Sequence, residues 1–241
     1  MMMPFLIEAA EKGWIPDSLI RVAIRHLLRQ RLKQDRYHAT VGGKRTFVEA
    51  MREVPLAVAT DEANEQHYEV PSEFFVSMLG PHLKYSSAWY PKAGCQLGEA
   101  EAAMLDLTMD RAAIEDGQSI LELGCGWGSL TLAMAARFKN SQITAVSNSA
   151  SQKAYIDGEA SARGLGNISV ITADMRSFEI DQTFDRVVSV EMFEHMRNYE
   201  ELFRRIKGWL TPKGKLFFHI FCHRNQPYFL DRKSTRLNSS H

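Results

Sequence analysis

The chain has 241 residues, 45% of them apolar and 24% charged, which is enough for a sizeable core in one large or two small domains. Lys plus Arg and Asp plus Glu both number 29, and the formal net charge of +0 argues against a dedicated nucleic-acid binder. Three cysteines, Cys95, Cys125 and Cys222, without C-x-x-C spacing argue against a disulfide framework and fit a reducing compartment.

The first residues, MMMPFLIEAAEKGW, carry two early glutamates and no basic run, unlike a secretory signal. No apolar stretch is long enough to span a bilayer, so a soluble, cytoplasmic protein is expected. Residues 16–34 predict a helix capped by Asp17 or Ser18. Ile20, Ile24, Leu27, Leu28 and Leu32 line one face, with Arg21, Arg25, Arg29, Arg31 and Lys33 opposite. Such a helix suits peripheral contact with an anionic membrane. A solvated basic face on a docked helix is the preferred reading. Residues 36–71 lack strong periodicity. A short helix is expected from Ser72, and a longer one, rich in Ala, Leu, Met and Glu, over 97–114.

From there strands and helices alternate. QSILEL, SQITAVS, NISVITAD, FDRVVSVEMF and GKLFFHIF read as strands, the last after a TPKG turn. GSLTLAMAARF, SASQKAYIDGEASARG and YEELFRRIKGWL read as helices. The alternation predicts an α/β fold, a parallel sheet with helices on both faces. FDRVVSVEMF ends oddly for a core strand, because Glu191, Glu194 and His195 follow its apolar run.

ILELGCGWGSLTL places Gly124, Gly126 and Gly128 between a strand and a helix, where glycines permit positive φ and close approach of a ligand. The spacing is G-x-G-x-G, not the G-x-G-x-x-G of dinucleotide sites, and no carboxylate stands in VSNSASQ where a ribose partner is expected. A nicotinamide cofactor is therefore not expected. Glu122 just before the glycines either shapes the loop or attracts a cationic ligand. The whole E-x-G-x-G-x-G run after an apolar strand is the signature of S-adenosylmethionine binding in class I methyltransferases.

With SNSASQKAYI, DRVVSVEMFEHMRNYEEL and GKLFFHIFCH added, the chain resembles the cyclopropane-fatty-acid-synthase-like methyltransferases, most closely the coclaurine N-methyltransferase-like branch. LKYSSAWY and REVPLAVATDEANEQHYEVPSEFF extend that resemblance over nearly all of residues 8–230. It implies a Rossmann-like class I methyltransferase sheet behind an N-terminal helical region, divided as 1–96 and 97–230. It implies S-adenosylmethionine as cofactor, touched by Tyr85, Ser86, Gly124 and Gly126. Asn148 and Gln152 would lie near the ribose, and Asp174 and Met175 would flank the adenine. Glu194 and His195 would face the reacting centre, with His219 on the neighbouring strand. Cyclopropane synthases usually carry Cys where this chain has Ser87, which weakens a bicarbonate mechanism.

The acceptor is expected to be a small molecule, with an amine nitrogen preferred over an unsaturated lipid acyl chain. His195 would serve as base, oriented by Glu194, while Glu191 is as well explained by a salt bridge at the strand end. Trp127 reads as packing over the glycine loop. His219, Cys222 and His223 lack a fourth ligand, and strand alternation sets His219 and Cys222 on opposite faces, so no metal is expected. The last eleven residues, DRKSTRLNSSH, match a translated sequencing adapter. They are read as a non-native tail (231–241) on a sheet lacking its last strands. The same reading expects the 241-residue chain to be an unstable or inactive fragment.

Overall fold

The alternating half of the chain folds as its pattern predicts. The computed structural model describes residues 3–41, 44–57 and 72–222. The tail 231–241 and His223 lie outside the described residues. Of those described, 3–41, 44–54 and 222 belong to one compact unit, and 55–57 with 72–221 to another.

The first unit holds helices α1 (Met3–Glu11), α2 (Asp17–Val41) and α3 (Lys44–Arg52). Helix α2 begins at Asp17, with Pro16 O accepting from the Leu19 and Ile20 amides, and runs seven residues beyond the predicted end. Ile24, Leu27, Leu28 and Leu32 on it are all exposed. No helix among the described residues is long and apolar enough to cross a membrane.

The second unit opens with the short helix α4 (Ser72–Met78) and α5 (Leu97–Arg111). Gln96 N–H donates to Glu99 Oε2 at 2.8 Å and secures the start of α5. That helix stops three residues before its predicted end, where Ala113 turns into the left-handed region at φ 50°. Then follow β1 (Ser119–Leu123), α6 (Ser129–Arg137), β2 (Gln142–Ser147), α7 (Ala150–Ala162), β3 (Ile168–Thr172), β4 (Phe184–Val190), a single 3-10 turn (Phe193–His195), α8 (Tyr199–Trp209) and β5 (Leu210–His219).

The five strands lie in the order β3-β2-β1-β4-β5, and every pairing is parallel. Alternation divides each central strand between two cores. Leu121, Leu123 and Val187 pack with Leu202, Ile206 and Trp209 of α8 on one face. Ile120 and Val188 pack with Leu105 and Met109 of α5 and Leu130 and Met134 of α6 on the other. Both faces are thus covered, so past Ser119 β1 is apolar except at Glu122.

Two expectations need correction. FDRVVSVEMF does not continue as a strand to Phe193: β4 ends at Val190, and Glu191 adopts φ 52°. TPKG is not a turn ahead of β5 either. Leu210 already pairs with Phe184, and Lys215 with Arg186, so Thr211–Gly214 bulge out of the ladder. Close contact explains the glycine in that bulge, since a Cβ at Gly214 would stand 2.8 Å from the Phe184 carbonyl oxygen.

Candidate active site

Because all the strands run the same way, their carboxyl ends form one rim, the place where open parallel sheets bind ligands. The ladder pairs Leu123 with Val146, Val146 with Ile171 and Val190 with His219. Reading outward from β3, the rim therefore carries Asp174 and Met175, then Asn148, Gly124, Glu191 and His219.

The loop after β1 bends through three left-handed glycines, Gly124 (φ 77°), Gly126 (φ 53°) and Gly128 (φ 79°). The Gly124 and Cys125 amides both donate to the Val146 carbonyl at 3.0 Å, which ties the loop to β2. A Cβ on Gly124 would strike Met192 at 2.7 Å, and one on Gly128 would strike Ile156 at 2.6 Å. One on Gly126 would meet nothing within 4 Å. Gly124 and Gly128 thus serve packing, whereas Gly126 fronts clear space. Trp127 packs as expected, with ring centroids 4.8 Å from Phe75 and 5.6 Å from Tyr155.

Glu122 sits beneath this loop, 3% exposed, and accepts a hydrogen bond from Thr131 Oγ1 at 2.5 Å. Burial pushes its pKa up to about 7, opposed by the Thr131 hydroxyl and the Lys84 charge. Of its two sequence readings, the geometry favours shaping the loop from below. Gln152 is also buried: its Oε1 accepts from Ser147 Oγ at 2.6 Å, while its Nε2 has no hydrogen-bond partner. Asn148 is exposed just past β2, and Ser149 caps α7. Asp174 accepts from Arg176 N–H at 2.7 Å and from its Nε at 2.8 Å. Met175 packs into the core with Leu121 and Phe193, so its chain position is at the rim but its side chain is not exposed.

A strap, residues 82–87, crosses from α4 toward the end of β4. Its Tyr85 is exposed and lies edge-on to Phe75, 5.7 Å between centroids. Ser86 accepts a hydrogen bond from Lys84 Nζ at 2.5 Å. Ser87 donates twice to Glu191 Oε1, from its amide at 3.1 Å and its hydroxyl at 3.0 Å. The same Glu191 oxygen lies 3.9 Å from His219 Nδ1, a buried nitrogen with no hydrogen-bond partner.

Glu194 completes the group. Its Oε1 accepts from the Phe221 amide at 3.1 Å, and its Oε2 is buried with no hydrogen-bond partner. Burial raises its pKa; backbone hydrogen bonds oppose the rise, and the nearby Glu191 charge adds to it. His195 is exposed on the 3-10 turn, its amide donating to Met192 O at 3.0 Å. The structure thus gathers Glu194 and His219 with Glu191, which the sequence reading set aside as an equal candidate for a mere salt bridge. The signal for Glu191 was present: two carboxylates three residues apart immediately after an apolar strand. Among the described residues no group of three or more His, Cys, Asp or Glu side chains could hold a metal ion.

The family model for mycolic acid cyclopropane synthetase matches residues 58–236. The chain belongs to that family. Among family relatives, (S)-coclaurine N-methyltransferase of Thalictrum flavum subsp. glaucum is 40% identical over 226 residues, 92% of this chain and 63% of that protein. The chain therefore spans about two thirds of that relative's length. Cyclopropane-fatty-acyl-phospholipid synthase of Escherichia coli (strain K12) is 32% identical over 157 residues, 64% of this chain and 39% of that enzyme. The crystal structure of coclaurine N-methyltransferase bound to N-methylheliamine and SAH superposes with a TM-score of 0.87 at 38% identity, covering 95% of this chain and 67% of that one.

Proposed function

We propose that this protein is an S-adenosylmethionine-dependent methyltransferase whose acceptor is an amine nitrogen of a small molecule. The observation that carries the reading is the carboxylate pair at the end of β4, Glu191 held by Ser87 and Glu194 half-buried, beside the clear space in front of Gly126. The N-methyltransferase relatives support the nitrogen acceptor.

The residues that would hold the donor are the glycine loop, Tyr85, Ser86, Asn148, Gln152 and Asp174. Glu122 would act under the loop and Met175 from the core. When bound, S-adenosylmethionine supplies a sulfonium methyl group; the amine lone pair forms the N–C bond as the S–C bond breaks. Glu194, made more basic by burial, takes the proton that the nitrogen must lose. Glu191 faces the positive charge that grows on nitrogen, and a fixed carboxylate there stabilises the transition state more than the neutral acceptor. The His219 carbonyl accepts from the Glu191 amide at 2.7 Å and so helps place that carboxylate, with His219 Nδ1 3.9 Å from it. His195, exposed, is assigned to the acceptor entrance rather than to the proton transfer. Holding the reactants aligned can account for roughly 7–11 kcal/mol of barrier lowering.

Methylene transfer to unsaturated acyl chains is the second reading, favoured by the match to the family model. Product mass spectrometry separates the two. Cyclic secondary amines incubated with S-adenosylmethionine should gain one CH2 at nitrogen. Gain of CH2 on phospholipid acyl chains with loss of the double bond would sink the amine reading. Glu191→Gln and Glu194→Gln should each lose at least about 100-fold in turnover, the range for removal of a general base or one charge-stabilising group, with donor binding retained. His195→Ala should lose less. Wild-type turnover in both glutamine variants would return the pair to ordinary polar strand-end residues.

A further inference from the structure

Lys84 is a surface-type residue in an interior position. It is 7% exposed, and its Nζ donates to Ser86 Oγ at 2.5 Å. Burial lowers its pKa, and the carboxylates of Glu191, Glu101 and Glu122 pull it back up. Those carboxylates come from three separate elements: the end of β4, helix α5 and strand β1.

The strap around Lys84 is built to put it there. At one end the His82 amide donates to Glu101 Oε2 at 3.0 Å, and Glu101 is 1% exposed. Gly80 lies so close to that carboxylate that any Cβ would overlap it. At the other end Ser87 donates twice to Glu191. Between them Leu83 takes a left-handed φ of 48° and packs against Phe75 and Trp127. A non-glycine residue in that region costs about 1–2 kcal/mol, so packing and both carboxylate anchors hold it. The bend turns Lys84 inward under the strap and leaves Ser86 half-buried.

The direction of the Lys84–Ser86 bond matters. An ammonium donates only, so Ser86 Oγ is the acceptor, and the hydroxyl proton must point away from Lys84. The strap is anchored to the end of β4 and packs through Leu83 on Trp127 of the glycine loop. A serine proton directed outward there can be given to an anionic group of a ligand at the rim.

We propose that Lys84 is a positioning residue for the methyl donor: its ammonium, buried beneath the strap and bonded to Ser86, fixes the Ser86 hydroxyl as a donor to the ligand carboxylate. The proposal rests on the S-adenosylmethionine reading of the rim. It goes beyond that reading by giving a role to a side chain that touches no ligand.

Isothermal titration of the chain with S-adenosylmethionine tests it without needing turnover. Lys84→Met and Ser86→Ala should each raise Kd about tenfold. The double variant should bind no more than about threefold more weakly than the worse single variant, because both act through one hydroxyl. Ser86→Ala removes only a half-buried hydroxyl, so it reports even if Lys84→Met unfolds, which circular dichroism will reveal. Unchanged Kd in a folded Lys84→Met variant, unchanged Kd in Ser86→Ala, or a loss near 100-fold in the double variant would each overturn the proposal. If the wild-type chain binds no S-adenosylmethionine, the donor reading itself fails, an outcome distinct from wild-type binding with an indifferent Lys84→Met.

Discussion

Two glycines of one loop should fail in opposite ways. At Gly128 an alanine would carry φ 79° and place its Cβ 2.6 Å from Ile156 Cγ1, and Ile156 is fully buried with Leu132 and Val170. The left-handed backbone costs about 1–2 kcal/mol for an L-residue. Overpacking a rigid neighbour adds about 1–3 kcal/mol. Gly128→Ala should therefore lose about 2–5 kcal/mol, or roughly 4–20 °C in thermal midpoint at about 2–4 °C per kcal/mol for a unit of this size. Gly126→Ala has φ 53° but open space around its Cβ. It should lose only the backbone part, about 1–2 kcal/mol, and the new methyl should fill the space before the loop and abolish donor binding. Gly164→Ala is the control, since it also has positive φ and an unobstructed Cβ but follows α7, away from the rim. Urea unfolding by circular dichroism and titration with S-adenosylmethionine read the two effects separately. The reasoning is refuted if Gly126→Ala is as destabilising as Gly128→Ala, or if it binds the donor like Gly164→Ala.

Glu122 makes a second prediction. Its pKa rises from 4.5 unfolded to about 7 folded, so between those values the folded state holds the extra proton. Its contribution is fully present below pH 4.5, declines as pH rises through the window, and levels off above 7. By linkage the decline amounts to about 3 kcal/mol. Glu122→Gln should lack that slope in urea unfolding between pH 5 and 8; a parallel slope in both proteins would count against it. For α2, exposed Ile24, Leu27, Leu28 and Leu32 alongside Arg21, Arg25 and Arg29 are expected to bring the chain up with anionic vesicles in flotation, and less so at high salt. Recovery only in the unbound fraction would leave the helix without a lipid role.

The sheet was legible because its signals are local and redundant. Short apolar runs, three of them followed by a turn and a helix, can be satisfied by few architectures. The glycine loop was legible because positive φ at three nearby positions leaves few other residues possible. The backbone at Glu191 was misread for the opposite reason. VVSVEMF continues a plausible strand pattern, and a left-handed glutamate has no mark in the sequence; Ser87, 104 positions away, and the His219 carbonyl, which accepts from the Glu191 amide at 2.7 Å, hold it. Met175 shows the same limit, because rim position and side-chain direction are separate facts. Lys84 gave no signal at all, since a lysine between Leu83 and Tyr85 reads as surface until the fold buries it and bonds it to Ser86.

The left-handed turn at Glu191 has a consequence for selection. A glycine would adopt φ 52° without strain, so the chain keeps a residue that folding alone does not favour. Libraries randomised at this position and sorted for stability should drift toward glycine or asparagine. Libraries sorted for turnover should return to the carboxylate, so the two sorts should diverge at position 191 while agreeing at the buried β4 positions Val187 and Val188.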